Sequence, residues 1–218
     1  MNAEKPETTV EVGENLIHFI ARSPSVFHAV HGVKEALLYS GFTEIREEDP
    51  WHIEKGGKYV VTRNGSALIA FTVPEEGARS FHIMASHADS PCFKIKENPE
   101  IKEGPYVKLN VEGYGGMIMS TWLDRPLSVA GRLIVRENGH LAQKLAAVDG
   151  TMLVIPSVAI HMDRNVNHKK DWNVQKDLLP LYGLATEKTS FMDVIAASAN
   201  VKTEDIVAHD LYLYSRRS

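Results

Sequence analysis

Only one cysteine, Cys92, occurs in the 218 residues. That excludes an internal disulfide framework and fits a reducing compartment. Long apolar runs are also missing, since none approaches the ~20 residues that a membrane-spanning helix needs. The opening MNAEKPETTVEV lacks the basic-then-apolar pattern of a secretory leader. A cytoplasmic protein with no membrane partner is the expectation. Charge of one sign is scarce too: the net charge is −4, and Lys and Arg are scattered rather than striped, which argues against a nucleic-acid partner. There is no H-E-x-x-H, no paired C-x-x-C and no G-x-S-x-G elbow, so the simplest signatures of helix-borne zinc proteases, cysteine zinc sites and serine hydrolases are absent. Gly113, Gly115 and Gly116 have the wrong spacing for a phosphate loop.

What is present is an ordinary globular composition, 44% hydrophobic and 24% charged. Residues 9–23 and 25–40 read as helices. In the second, Val26, Phe27, Val30, Val33, Ala36 and Leu37 recur at helical spacing, with Ser25 as a start signal and Gly41 as a stop. Residues 58–63 and 66–73 flank Asn64-Gly65, and 127–136 and 140–148 flank Glu137-Asn138-Gly139; both read as hairpins. Residues 80–86 (SFHIMAS) read as a buried strand ending at His87. Residues 106–111 alternate as a strand, 190–199 as a short helix, and 210–214 (DLYLY) as a strand with no assigned partner. The fold class expected is α/β. An α/β unit spans 1–98 and a β-rich unit 99–209, the change in character falling at Asn98-Pro99.

The sharpest chemical feature is His87-Ala88-Asp89. Residues two apart at a strand end point the same way, and open α/β sheets place their sites beyond the C-terminal ends of strands. A zinc-ligating histidine usually gives its other ring N–H to a carboxylate. Taken alone, the triplet is a weak signal, and a polar strand end before a Ser-Pro turn is its ordinary reading. His28 and His31 share a helix face, where a partly buried structural histidine is the ordinary reading. Asp124-Arg125 reads as an ion-paired turn, and Cys92 as a packed thiol.

Six blocks, in order, resemble the M18 family of zinc aminopeptidases, the aspartyl aminopeptidase and aminopeptidase I group. They are Ser23-Pro24-Ser25-Val26-Phe27-His28, the hairpin Tyr59 to Ser66 (YVVTRNGS), and His87-Ala88-Asp89-Ser90-Pro91, with Ala88 where the family has threonine. Then come Tyr114-Gly115-Gly116 with Thr121-Trp122-Leu123-Asp124-Arg125 and Ala130-Gly131-Arg132. Ile155-Pro156 with Ala159-Ile160-His161 follows, and Asp210-Leu211-Tyr212-Leu213-Tyr214 closes the series.

The resemblance implies a zinc-exopeptidase α/β/α sandwich interrupted by a β-rich dimerisation domain. Residues 1–98 would be the first part of the catalytic domain, 99–209 the inserted domain, and 210–218 the start of the return. It implies peptide substrates and homo-oligomers built from dimers. A water activated by two zinc ions would do the hydrolysis, with cobalt or manganese able to substitute. His87 would be a metal ligand, Asp89 its supporting carboxylate, and His161 a substrate-binding residue in a neighbouring subunit's site. In the family the remaining ligands and the general base follow the D-L-x-L-Y strand. The expectation is therefore an N-terminal half, inactive alone; the alternative is a non-catalytic dimerisation module. Asp124 could in principle bridge metals, but the family pattern puts it in the inserted domain, so it is rejected as a ligand.

Overall fold

The computed structural model describes residues 8–77, 79–168, 170–186 and 189–216. Positions 1–7, 217 and 218, counted above within 1–98 and 210–218, lie outside the described residues. The chain is a mixed α/β protein that divides into two compact units between Ser90 and Pro91.

The first unit opens with α1 (Thr9–Arg22). Its capping box is complete: the Thr8 hydroxyl accepts from the Glu11 amide at 3.3 Å, and the Glu11 carboxylate accepts from the Thr8 amide at 2.7 Å. The second helix, α2 (Val26–Tyr39), buries Phe27 and Val30. It ends as the glycine predicts. Gly41 takes φ +83°, its amide donates to Leu38, and Phe42 donates to Leu37, which is the Schellman arrangement. Ser25 sits at the N-cap but makes no capping bond; its hydroxyl lies 2.8 Å from His28 Nδ1 instead.

Three strands follow: β1 (Thr43–Glu44), β2 (Lys58–Arg63) and β3 (Ala67–Thr72). β2 is central, parallel to β1 and antiparallel to β3, and it buries Tyr59, Val60 and Val61. Asn64 and Gly65 turn the hairpin at φ 54° and 65°. Residues 80–86 do not form the expected buried strand. The segment pairs with no strand among the described residues, and Phe81, Ile83 and Met84 are 86%, 83% and 100% exposed. An apolar run becomes a strand only where a neighbour completes its ladder, and β1-β2-β3 supplies none.

The second unit is a six-stranded sheet ordered β7-β6-β9-β4-β5-β8. Its strands are β4 (Cys92–Glu103), β5 (Tyr106–Tyr114), β6 (Leu127–Glu137), β7 (His140–Ala147), β8 (Leu181–Leu184) and β9 (Ile206–Ser215). A one-turn α3 (Val174–Asp177) and α4 (Phe191–Ser198) join it. The core takes Phe93, Ile95, Leu109, Val111, Leu133, Leu211 and Leu213 from the strands and Phe191 and Ile195 from α4. Asn138-Gly139, at φ 52° and 81°, turns β6 into β7 in two residues, as an Asn-Gly pair in a type I′ turn does.

Two expectations change here. Position 98 is no boundary, because β4 runs straight through it. Asn98-Pro99 marks a bulge, where pairing with β5 jumps from Ile95↔Val111 to Glu100↔Leu109. Proline has no N–H to give the ladder. Residues 210–215 do not lead back to the first unit's sheet: β9 pairs with β6 along its length and with β4 at Lys94↔Tyr212.

Strand β9 is admitted by Gly131. A Cβ there would stand 1.9 Å from the Asp210 carbonyl oxygen and 2.9 Å from Leu211 Cα. Both are backbone atoms and cannot swing aside. Gly131→Ala is expected to destabilise the second unit by about 3 kcal/mol, the upper end of ordinary overpacking. Urea unfolding followed by circular dichroism checks this; an unchanged midpoint would contradict it.

Candidate functional site

His87 lies in the irregular stretch after residue 80, not at a strand end. Its Nδ1 is 3.2 Å from Asp89 Oδ1, and its side chain is 93% exposed while that of Asp89 is 31% exposed. The expected pairing is therefore formed, by a local turn rather than by a pleat. Among the described residues, no three His, Cys, Asp or Glu side chains come together as a metal-holding group. A zinc ion wants about four ligands, so the described residues offer an imidazole and its carboxylate but do not fit a complete zinc centre.

His28 behaves differently. Burial first, and the nearby His31 second, push its pKa down to about 4. It is a neutral structural histidine at the first turn of α2, held beside the Ser25 hydroxyl. His209 is more deeply buried, on the core face of β9 beside Leu211, and burial lowers its pKa as well.

His161 belongs to the second unit. The apolar stretch before it is strand-like only to Ile155, which bridges Leu123. The chain then leaves the sheet, and His161 sits in an exposed turn closed by the Met162 amide donating to the Ala159 carbonyl at 2.8 Å. Val158, Ile160 and Met162 around it are exposed. The structure ties both ends of this loop. At its start, Asp124 accepts from the Ser157 amide at 2.9 Å and from the Ser157 hydroxyl. Those two bonds, the hydroxyl's first, hold the Asp124 carboxyl below its usual range. At its far end, Lys170 donates to Asp163 at 2.6 Å and lies over the Trp172 ring at 5.2 Å.

Asp124 is thus part of a loop anchor, not an ion-paired turn with Arg125. The role of Ser157 has no signal in the sequence, because Asp124 and Ser157 are 33 residues apart. Arg132 and Asp210, from two of the family-like blocks, meet across β6 and β9 at 2.9 Å. Lys94 reaches the same carboxylate at 2.8 Å. Burial works to raise Asp210, but the bonds from Lys94 and Arg132 outweigh it and hold the carboxyl low.

Comparison with known proteins gives a consistent picture. The family model described as aminopeptidase I zinc metalloprotease (M18) matches residues 19–218. A probable M18 family aminopeptidase 2 of Clostridium acetobutylicum is 47% identical over 214 residues, covering 94% of this chain and 49% of that protein. The solved Ape4 and Nbr1 complex contains a chain similar to this one at TM-score 0.88 and 32% identity, covering 94% of this chain and 44% of that one. The S. cerevisiae mApe1 dodecamer shares the fold at TM-score 0.78 and 22% identity, covering 95% and 49%. This chain spans about half the length of the curated relatives it matches.

The partly buried His28 carries a pH dependence. Between its folded value near 4 and the ordinary 6.5, the unfolded chain binds a proton that the folded chain rejects. Stability should therefore fall as pH drops through that window and level off below it. Urea midpoints followed by circular dichroism at about pH 7 and about pH 4.5 measure the loss, and His28→Gln should shrink the difference between them. An equal acid sensitivity in the variant would assign the effect elsewhere.

Proposed function

Because the chain belongs to the M18 zinc aminopeptidase family, we propose that it forms part of a metalloaminopeptidase that removes N-terminal residues from peptides. The carrying observation is the His87–Asp89 contact at 3.2 Å on an otherwise open imidazole. A carboxylate accepting from Nδ1–H fixes the tautomer and leaves the Nε2 lone pair for a metal. His87 is then one ligand and Asp89 its orienting partner. The zinc, when bound, supplies an activated water and polarises the scissile carbonyl. The described residues do not complete that centre, so the other ligands and the general base come from outside them.

His161 is the second contribution. An exposed imidazole on an anchored turn, ringed by exposed apolar side chains, suits entry into a neighbouring subunit's site in a homo-oligomer. There it donates a hydrogen bond to a carbonyl oxygen that gains negative charge in the transition state. One observation favours a second reading: residues 91–218 form a compact unit with its own core. That unit could serve as a non-catalytic pairing module.

Three measurements separate these readings. Calorimetric titration of the 218-residue chain should show no pair of tight zinc sites, and a leucyl or aspartyl fluorogenic substrate should not be turned over. Two tight equivalents of zinc, or turnover that survives purification, would contradict the incomplete centre. In an active enzyme containing this chain, Asp89→Asn should weaken metal affinity or activity by about 10–100-fold. Unaltered zinc content and rate would remove Asp89 from the site. In the same enzyme, His161→Ala should lower kcat by about 10²–10³-fold while zinc content and particle size stay constant.

A further inference from the structure

We propose that Asp124 is a positioning residue for His161: its carboxylate clamps Ser157 and so fixes the direction in which the turn at 159–162 presents the imidazole. The inference rests on the reading of His161 as a substrate-facing histidine, and it assigns the role to a residue of the sheet's rim that the family-like reading left without one.

The base of the clamp is rigid. Trp122 packs edge-on against the fully buried Phe93, with ring centroids 5.3 Å apart. Leu123 bridges Ile155, and the Asp124 amide donates to the Ile155 carbonyl at 2.9 Å. Asp124 then takes the left-handed conformation at φ 56°, which Asp and Asn tolerate better than most residues. That conformation keeps its carboxylate over the chain just past Pro156, where both the amide and the hydroxyl of Ser157 donate to it. Four residues later comes His161.

Two donors from one residue, received by two oxygens of one carboxylate, fix orientation as well as distance. A single bond would leave Ser157 free to rotate about it. The far end of the loop is tied independently, by Lys170 to Asp163 and over Trp172, and Trp172 itself packs against the core. With both ends tied, the freedom left to the loop lies in the short stretch around His161. Releasing the Asp124 end frees the side of the loop that leads directly into the turn.

The test uses Asp124→Ala, Asp124→Asn and His161→Ala. Asparagine keeps an acceptor for the Ser157 amide and tolerates the same backbone, so it should restore what alanine loses. In the 218-residue chain, hydrogen exchange at the Ser157 amide should speed up by about tenfold or more in D124A and stay near wild type in D124N. In an active enzyme containing the chain, D124A should lower kcat by about 10²-fold, the scale of a misplaced group. KM and zinc content should be little changed, and D124N should recover most of the rate. In a H161A background, D124A should cause no further loss, because the two act as one unit.

Unchanged Ser157 exchange in D124A, or losses from D124A and H161A that multiply independently, would overturn the clamp. An impaired H161A enzyme beside a normal D124A enzyme would also overturn the clamp, and it would leave the His161 reading intact. A fully active H161A enzyme would remove the role of His161 and the purpose of the clamp together, even if Ser157 exchange responds as expected.

Discussion

The second unit depends on how β9 is held between β6 and β4. Remove that strand and the sheet becomes two separate ribbons, β7-β6 and β4-β5-β8. Arg132 and Asp210, which meet across β6 and β9, are 78 residues apart, so this pairing closes a long loop before any contact rewards it. Two features secure it. Gly131 lets the β9 backbone come to a distance that no side chain would permit. Asp210, on the face opposite Leu211, receives Arg132 from β6 and Lys94 from β4 at once. The carboxylate and its partners are about three-quarters out of water, so a slipped register would leave a desolvated charge without its mates. A one-residue slip would also turn Leu211 and Leu213 out of the core. Shape, charge and apolar pattern thus select the same register.

This explains which parts of the fold were legible in the sequence. Signals that act over a few residues read correctly: Gly41 after α2, Asn64-Gly65, Asn138-Gly139, and the short helix at 190–199. Each states a backbone requirement that the neighbouring residues alone satisfy. Partnerships across the sheet did not read. DLYLY announces a strand but not its neighbours, and the Arg132–Asp210 contact spans 78 residues. Pro99 hid the length of β4 because a proline normally ends a strand, whereas here the missing N–H falls at a bulge. Residues 80–86 misled in the other direction. Their apolar content is right for a buried strand, but burial needs a cover and pairing needs an edge, and a run of seven residues specifies neither.

The candidate site divides along the same line. The His87–Asp89 pairing was legible because two residues apart is a local distance, although a turn makes the contact and not the pleat that was expected. How far each histidine is buried was legible only in part: the helix face of His28 and His31 read as carrying a partly buried histidine, while nothing marked His209. His28 and His87 both stand in family-like blocks. One is neutral inside a helix start with its pKa near 4, and the other is open to solvent on one side of its ring. The difference lies in what packs around them, which residue type and spacing do not record. The partner of Asp124 was illegible for a simpler reason, its distance along the chain.

A last feature is common to His87 and His161, both exposed. Each lies outside regular secondary structure, and each is governed by an aspartate: Asp89 at the ring of His87, and Asp124 at the root of the loop that bears His161. Neither contact can contribute much to overall stability, since exposed polar pairs are worth about 1 kcal/mol or less. Their geometry is nevertheless specific, with one carboxylate oxygen at one ring nitrogen in the first case and two oxygens on one serine in the second. Interactions too weak to hold a fold can still choose among the orientations of a side chain or turn, because those alternatives differ by similarly small energies. Loops carry such groups in folded proteins because they lie at the surface and can be redirected without disturbing the sheet. The strong interactions of this chain are spent on β9 and its core, and the weak ones aim its histidines.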